Sequence, residues 1–172
     1  AYAGNLRNIA KTLRQLEEIS GSSKIEIAHE MEDLLAGSVE LYEDAARKQA
    51  LLAGYAKKCE HNISGDTIVV RLDQLAANLE EKADWMMENI RKNEWITDGG
   101  DGWFNGYYDD HKNPVECCEK DRVRMMLTSQ VFAIMSGTAT KEQTAAISRS
   151  ASNMHKTACI AITSSGLESL RA

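Results

Sequence analysis

The first 93 residues carry apolar side chains at alternating spacings of three and four, and this spacing constrains the fold more than any other feature. Within 5–20 it predicts an amphipathic helix whose buried side carries Leu6, Ile9, Leu13 and Leu16. Similar stripes, close to a seven-residue repeat, run through 24–61 and 67–93. Three such helices can pack together as a hairpin or bundle. The predicted fold class is therefore all-α.

Two glycines and one turn-rich segment interrupt the helical pattern. Ser-Gly-Ser-Ser at 20–23 predicts the end of the first helix. Gly37 and Gly54 each weaken the second helix by about 1 kcal/mol relative to alanine, so we expect a kink or break there. The segment 62–66 is predicted to be a loop.

The character of the chain changes after residue 93. The segment 97–114 is rich in Gly, Asp, Asn and aromatic residues; 103–108 is predicted to be one short strand and 109–114 a turn. Helical spacing returns at 121–136 and stops at Gly137. Thr-Lys-Glu-Gln at 140–143 predicts a capping box at the start of a helix that runs to about residue 154.

This pattern predicts one structural domain with three regions. These are a helical hairpin or bundle at 1–93, an aromatic-rich strand and loop at 94–120, and C-terminal helices at 121–172. The complete prediction is an all-α fold with a short β excursion.

Charge and cysteine content exclude several classes of function. The net charge of −6 argues against nucleic-acid binding and against docking on an anionic membrane. Neither a signal peptide nor an apolar run of membrane-spanning length is visible. The spacing of the four cysteines fits no zinc or redox template, so we expect reduced thiols in a cytoplasmic protein; they are Cys59, Cys117, Cys118 and Cys159.

The densest chemical cluster lies at 94–110. Five aromatic residues alternate there with acids and an asparagine, a mixture that fits a sugar site or an aromatic plug in a helical core: Trp95, Trp103, Phe104, Tyr107 and Tyr108. Glycoside cleavage needs a carboxylic acid. Composition does not rank the acids that follow, and a solvated acidic turn is the alternative; they are Asp109, Asp110, Glu116 and Glu119.

Metal and phosphate sites have weaker support. Glu26 and His29 have the Glu-x-x-His spacing of di-iron helical bundles, but no second such pair exists, so no metal and no cofactor is predicted. Lys120, Arg122 and Arg124 could grip phosphate or serve as ion-pair partners of nearby acids.

Four segments together resemble a known family. They are Lys-Ala-Asp-Trp at 82–85 with Glu-Trp-Ile at 94–96, Gly-Trp-Phe-Asn-Gly-Tyr-Tyr-Asp-Asp at 102–110, Arg-Met-Met-Leu-Thr-Ser-Gln-Val-Phe-Ala-Ile-Met-Ser-Gly at 124–137, and Thr-Lys-Glu-Gln at 140–143. Over about 70–147 the chain resembles the family-94 glycoside phosphorylases. The sequences of these segments are most similar to those of the 1,2-β-oligoglucan phosphorylase and cyclic β-1,2-glucan synthase branch.

The resemblance implies a fold, a reaction and site residues. The fold would be a fragment of an (α/α)6 barrel, and the parent enzyme would cleave β-glucosides with inorganic phosphate to give α-glucose 1-phosphate. Its partners would be an oligosaccharide and phosphate, with a homo-oligomer through helical faces left open. The expected substrate-binding residues are Trp103, Tyr107, Asp109, Glu116 and Gln130, while the catalytic residue stays unassigned.

The sequence departs from the family at its catalytic motifs. The family's general acid, in an Asp-Trp-Asn-Asp type motif, is expected before this segment, and its phosphate-binding His and Gln after it; this chain carries neither. We therefore expect a fragment or degenerate relative of a phosphorylase that does not catalyse alone. The alternatives are a non-catalytic helical interaction or scaffold module and a carboxylate-bridged metal-binding helical bundle.

Overall fold

The computed structural model describes residues 1–35, 38–119 and 122–168. The chain divides into two compact units. We call Tyr2–Met87 the N-terminal unit, and Glu88–Ala172 together with Ala1 the C-terminal unit. Most of the structure is helical with a few short strands, which confirms the predicted helical class. In the described part of the chain, no helix is both long and apolar enough to cross a membrane.

Helices provide most of the N-terminal unit. The first, α1 (Tyr2–Ser20), confirms the predicted amphipathic helix and is followed by Gly21, which adopts a φ of 67°. Three shorter helices follow a 3-10 turn at His29–Met31, and a long helix closes the unit; they are α2 (Glu32–Leu35), α3 (Val39–Glu43), α4 (Ala45–Lys58) and α5 (Leu72–Asn93). The last residues of α5, from Glu88, belong to the C-terminal unit.

The core of the N-terminal unit forms between α1 and α5. One cluster joins Ala10 and Leu13 to Leu72 and Ala76, and a second has four buried members, Ala3, Leu6, Ala83 and Met87. Small alanines alternate with larger side chains in both clusters, so the two helices approach closely. The predicted stripe of α1 is thus partly buried, since Leu6 and Leu13 are covered whereas Ile9 and Leu16 are exposed.

A two-stranded sheet corrects the predicted second and third helices. Strand β1 (Lys24–Ala28) pairs antiparallel with β2 (Thr67–Arg71), with Ile25 opposite Val70. The alternation Lys-Ile-Glu-Ile-Ala and the β-branched run Ile-Val-Val favour strands. The helix predicted from residue 24 was therefore wrong at its start, and the helix predicted from residue 67 begins at Leu72. Gly54 lies within α4, whereas Gly37 lies outside the described residues.

In its described residues, the C-terminal unit contains two hairpins, whereas a single strand was predicted. Strand β3 (Trp95–Asp98) pairs with β4 (Asp101–Phe104), and their turn uses Gly99 and Gly100 at positive φ. Strand β5 (Cys117–Glu119) pairs with β6 (Arg122–Arg124). The predicted strand at 103–108 therefore lies earlier, and it ends at Phe104.

Two helices complete the C-terminal unit. The helix predicted for 121–136 begins later, as α6 (Leu127–Met135), because the preceding residues pair in the second hairpin. The last helix, α7 (Lys141–Glu168), is longer than predicted. Its capping box is confirmed: the Gln143 N–H donates to Thr140 Oγ1 at 3.2 Å, and the Thr140 N–H donates to Gln143 Oε1 at 3.0 Å.

Candidate functional site

A cleft of about 390 Å³ lies in the C-terminal unit. The end of α5, the chain that follows β4, and one side of α6 form its walls. Aromatic rings, hydroxyl groups, one amide and one carboxylate line it, a composition typical of small-molecule sites. The lining residues are Ala1, Ile90, Glu94, Phe104, Asn105, Gly106, Tyr107, Tyr108, Ser129, Phe132, Ala133, Ser136 and Thr138.

Gln130 joins one wall of the cleft to the other. Its Oε1 accepts the Phe104 N–H at 2.8 Å, and its Nε2 donates to the Phe104 carbonyl at 2.8 Å and to the Met126 carbonyl at 3.2 Å. The side chain is fully buried. Its amide therefore replaces a strand partner for the end of β4, because it satisfies both backbone groups of one residue.

Glu116 closes the loop that carries two cleft tyrosines. Its fully buried carboxylate accepts the Gly106 N–H and, at 2.9 Å, the Met126 N–H. The Glu116 N–H in turn donates to Asn105 Oδ1 at 3.3 Å. The carboxylate thus fixes the two ends of residues 106–116 relative to the start of α6, and both of its oxygens are used within the protein.

Gly106 is required by the packing at the floor of the cleft. A Cβ atom at this position would lie 2.6 Å from Ser129 Cβ and closer still to Ser129 Oγ. Real Cβ contacts are not that short, so only glycine allows the loop to rest on α6.

Glu94 is held by two neighbours at the edge of the cleft. The Tyr108 hydroxyl lies 2.9 Å from Glu94 Oε1 and 2.8 Å from Oε2, and Asn105 Nδ2 donates to Oε2 at 3.1 Å. The hydrogen bond to Glu94 raises the pKa of Tyr108, because ionising the phenol would remove the donor and place two negative charges together. The Asn105 N–H also donates to the Glu94 carbonyl at 2.7 Å.

Asp109 shapes the turn beyond the cleft. Its Oδ1 accepts the His111 N–H at 2.9 Å and the Asn113 N–H at 2.8 Å, while Asn113 Nδ2 donates to Oδ2 at 3.1 Å. These donors, those of Asn113 first, lower the pKa of Asp109 because they stabilise the ionised carboxylate. Lys112 within this turn adopts a φ of 65°.

The five sequence-predicted substrate-binding residues occupy different environments. Tyr107 lines the cleft and is half exposed, whereas Trp103 is 1% exposed and does not line it. Glu116 and Gln130 direct their polar side-chain atoms to the backbone, whereas Asp109 accepts from both backbone and side-chain donors in its turn. Tyr108 belongs to the predicted aromatic cluster, but sequence reasoning assigned it no substrate-binding role. The polar cleft residues without such an assignment are Glu94, Asn105, Tyr108, Ser129, Ser136 and Thr138.

The alternative of a metal-binding helical bundle loses its structural basis. Glu26 lies in β1 and His29 in the 3-10 turn, so their spacing is not that of one helix face, and the helical assumption was wrong. Among the residues that the structure describes, no group of three or more His, Cys, Asp or Glu side chains could hold a metal ion. Of the basic cluster, Lys120 lies outside the described residues.

A comparison with known families matches the later part of the chain. A family model described as the glycosyl hydrolase 94 superfamily, catalytic domain, matches residues 69–164, more than half of the chain. The match extends from β2 into α7 and includes every cleft residue except Ala1. No curated protein gives a significant match.

Proposed function

This chain belongs to the glycosyl hydrolase 94 superfamily, and on that premise we propose that its cleft binds an oligosaccharide as part of a glycoside phosphorylase. The observation that carries the proposal is the position of the cleft inside the matched segment. Its lining supports sugar binding, because Phe132 and Tyr107 offer aromatic faces to sugar C–H groups while Asn105 and Glu94 offer hydrogen-bonding groups to sugar hydroxyls.

The reaction proposed for the parent enzyme is inverting phosphorolysis. Inorganic phosphate attacks the anomeric carbon, the glycosidic carbon–oxygen bond breaks, and a protein carboxylic acid protonates the leaving oxygen. The products are α-glucose 1-phosphate and the shortened sugar. We propose a β-1,2-linked glucooligosaccharide as substrate, because the sequence at 102–110 and 124–137 is most similar to the 1,2-β-oligoglucan phosphorylase and cyclic β-1,2-glucan synthase branch.

An exposed apolar side of α6 supports the proposal that this chain is a fragment of a larger catalytic domain. Five of its nine residues are large hydrophobic side chains that are at least 39% exposed: Leu127, Val131, Phe132, Ile134 and Met135. Such a concentration of exposed apolar surface is uncommon on a complete soluble domain. The proposed larger protein would supply the general acid and the phosphate-binding residues, and its fold would be the (α/α)6 barrel.

Calorimetric titration of the chain with β-1,2-glucotriose tests the proposal. We expect binding, and Tyr107→Ala should weaken it by about 1 kcal/mol or more, the scale of one lost buried polar or aromatic contact. Tyr2→Ala, an exposed tyrosine on α1, is the matched control. Absence of binding by the wild-type chain would contradict the proposal.

The second candidate function is a non-catalytic interaction module. Apolar side chains on α1 favour it, because Tyr2, Ile9 and Leu16 recur every seven residues and are all at least 41% exposed. This alternative includes a homo-oligomer formed through helical faces. Sedimentation equilibrium tests it: Ile9→Gln should lower the association constant if the stripe is an interface, without changing sugar binding.

A further inference from the structure

We propose that Glu94 is the specificity-determining residue of the cleft: it accepts hydroxyl groups of a neutral sugar and disfavours a phosphorylated one. This inference rests on the proposed function, and it assigns a role that the sequence did not. The phosphate used in the proposed reaction would then be bound outside this cleft.

The first step is the fixed geometry of the carboxylate. Tyr108 donates to both oxygens of Glu94, and Asn105 donates to one of them. A carboxylate has about four acceptor positions, so these two neighbours leave capacity for further donors. Glu94 is only half buried and lines the cleft, so a bound sugar can reach it.

The second step is the anchoring of those neighbours. Asn105 is buried, and it is held on its other side by the Glu116 N–H, which donates to its Oδ1. Glu116 is in turn bonded to the Gly106 and Met126 N–H groups. The orientation of Glu94 is therefore set by a chain of hydrogen bonds that reaches the start of α6, which pre-organises the acceptor.

The third step is the balance of charge. No lysine, arginine or histidine is among the cleft-lining residues in the described part of the chain. Arg91 lies nearby, but it donates to the Gly137 and Thr138 carbonyls and pairs with Glu88. The negative charge of Glu94 would therefore repel a phosphate dianion, and no basic side chain of the cleft lining would offset the repulsion. A neutral hydroxyl would instead donate to a strong acceptor.

An unpaired hydroxyl adds a further polar contact inside the same cleft. Ser129 Oγ is buried and has no hydrogen-bond partner among the described residues. It lies next to Gly106 at the floor of the cleft. A buried hydroxyl without a partner is costly, and a bound sugar hydroxyl would satisfy it.

The test measures dissociation constants for β-1,2-glucotriose and for glucose 1-phosphate at one ionic strength. Wild-type protein should prefer the neutral sugar at least tenfold. Glu94→Gln should weaken trisaccharide binding about tenfold and reduce the preference, because an amide presents one acceptor and one donor. Tyr108→Phe keeps the aromatic ring and leaves the Glu94 charge in place, but it removes the hydrogen bond that orients the Glu94 carboxylate. It should therefore weaken trisaccharide binding about threefold while leaving the preference for the neutral sugar intact.

One control defines the outcomes. Glu18→Gln on α1 removes an equal charge at an exposed position and should change neither constant. Equal binding of both sugars by the wild type, or constants of Glu94→Gln and Tyr108→Phe equal to those of Glu18→Gln, would overturn this inference alone. Absence of binding to both sugars would instead contradict the proposed function.

Discussion

The two units of this protein use different interactions to fill their interiors. Among the described residues, the N-terminal unit buries nine hydrophobic side chains and one polar one, whereas the C-terminal unit buries five of each. In the N-terminal unit, Leu72 and Met87 are buried where α1 packs against α5. In the second, Gln130 and Glu116 join loops and a strand end to a helix.

The difference matters because the two kinds of interaction constrain geometry differently. Apolar burial is non-directional, so several side-chain arrangements can satisfy it. Hydrogen bonds to backbone groups fix distance and direction, and an unpaired buried group is costly. The cleft lies in the unit that depends on the directional contacts, as expected for a site that must hold a ligand in one orientation.

Truncation of a buried apolar side chain should give the largest effect. Leu72 is 1% exposed and packs against Ala10 and Leu13, so Leu72→Ala should lower the free energy of unfolding by about 3 kcal/mol. Urea denaturation measures it. Leu52→Ala on α4, where the side chain is more than half exposed, should change the value by less than about 0.5 kcal/mol. Similar losses in the two variants would show that the apolar core is not what stabilises this unit.

Loss of the Gln130 amide should come next. Gln130→Leu keeps the approximate volume but leaves the Phe104 N–H and carbonyl unpaired, so we expect a loss of about 2 kcal/mol in the same assay. Gln15→Leu, at an exposed position of α1, is the matched control. If Gln130→Leu were as stable as wild type, the proposed contrast between the units would be broken.

One substitution made in both units should have effects of opposite sign. Gly106→Ala forces a Cβ against Ser129 and should cost about 1.5 kcal/mol. Gly54→Ala in α4 meets no atom within 4 Å and should stabilise by about 0.5–1 kcal/mol, because alanine is the better helix former. Adding Ser129→Gly should restore part of the stability lost in Gly106→Ala. Equal signs for the two alanine variants would contradict the packing described at the cleft floor.

The smallest effect is on ionisation rather than on stability. The pKa of Tyr108 should lie above its ordinary value and should fall in Glu94→Gln, as read from the phenolate absorbance that Tyr108→Phe removes. Because the folded pKa is raised, the contribution of this hydrogen bond is complete below the pKa of an unfolded tyrosine. It is lost as the pH rises through the folded value. An unchanged titration in Glu94→Gln would mean that another group shifts Tyr108.

The sequence predicted the periodic parts of the fold and missed the short paired ones. The spacing of apolar residues identified α1, and the Thr140 capping box marked the start of α7. Strands β1 and β2 were predicted as helix, because each is only five residues long and adjoins a heptad-like stripe into which it was counted. Their pairing brings together segments about forty residues apart, which local periodicity does not report.

The site was predicted as a segment but not as a set of contacts. The resemblance covered about 70–147, and every cleft residue except Ala1 lies within that range. It did not separate Tyr107, which lines the cleft, from Gln130 and Glu116, whose partners are backbone groups. Backbone partners have no side-chain identity, so no residue pattern reveals them. Glu94 and Tyr108 are fourteen positions apart, and they meet because the first hairpin turns the chain back on itself.

The buried indole of Trp103 gives the C-terminal unit an intrinsic fluorescence signal of its own. Its Nε1 has no hydrogen-bond partner among the described residues, and only 1% of the residue is exposed. An excited indole in such dry surroundings emits at short wavelength, and its emission shifts to the red when water enters. Trp85 differs, since Lys48 lies 4.8 Å from its ring centre and the side chain is only partly covered. Single-tryptophan variants would therefore give each unit a separate spectroscopic reporter of its unfolding.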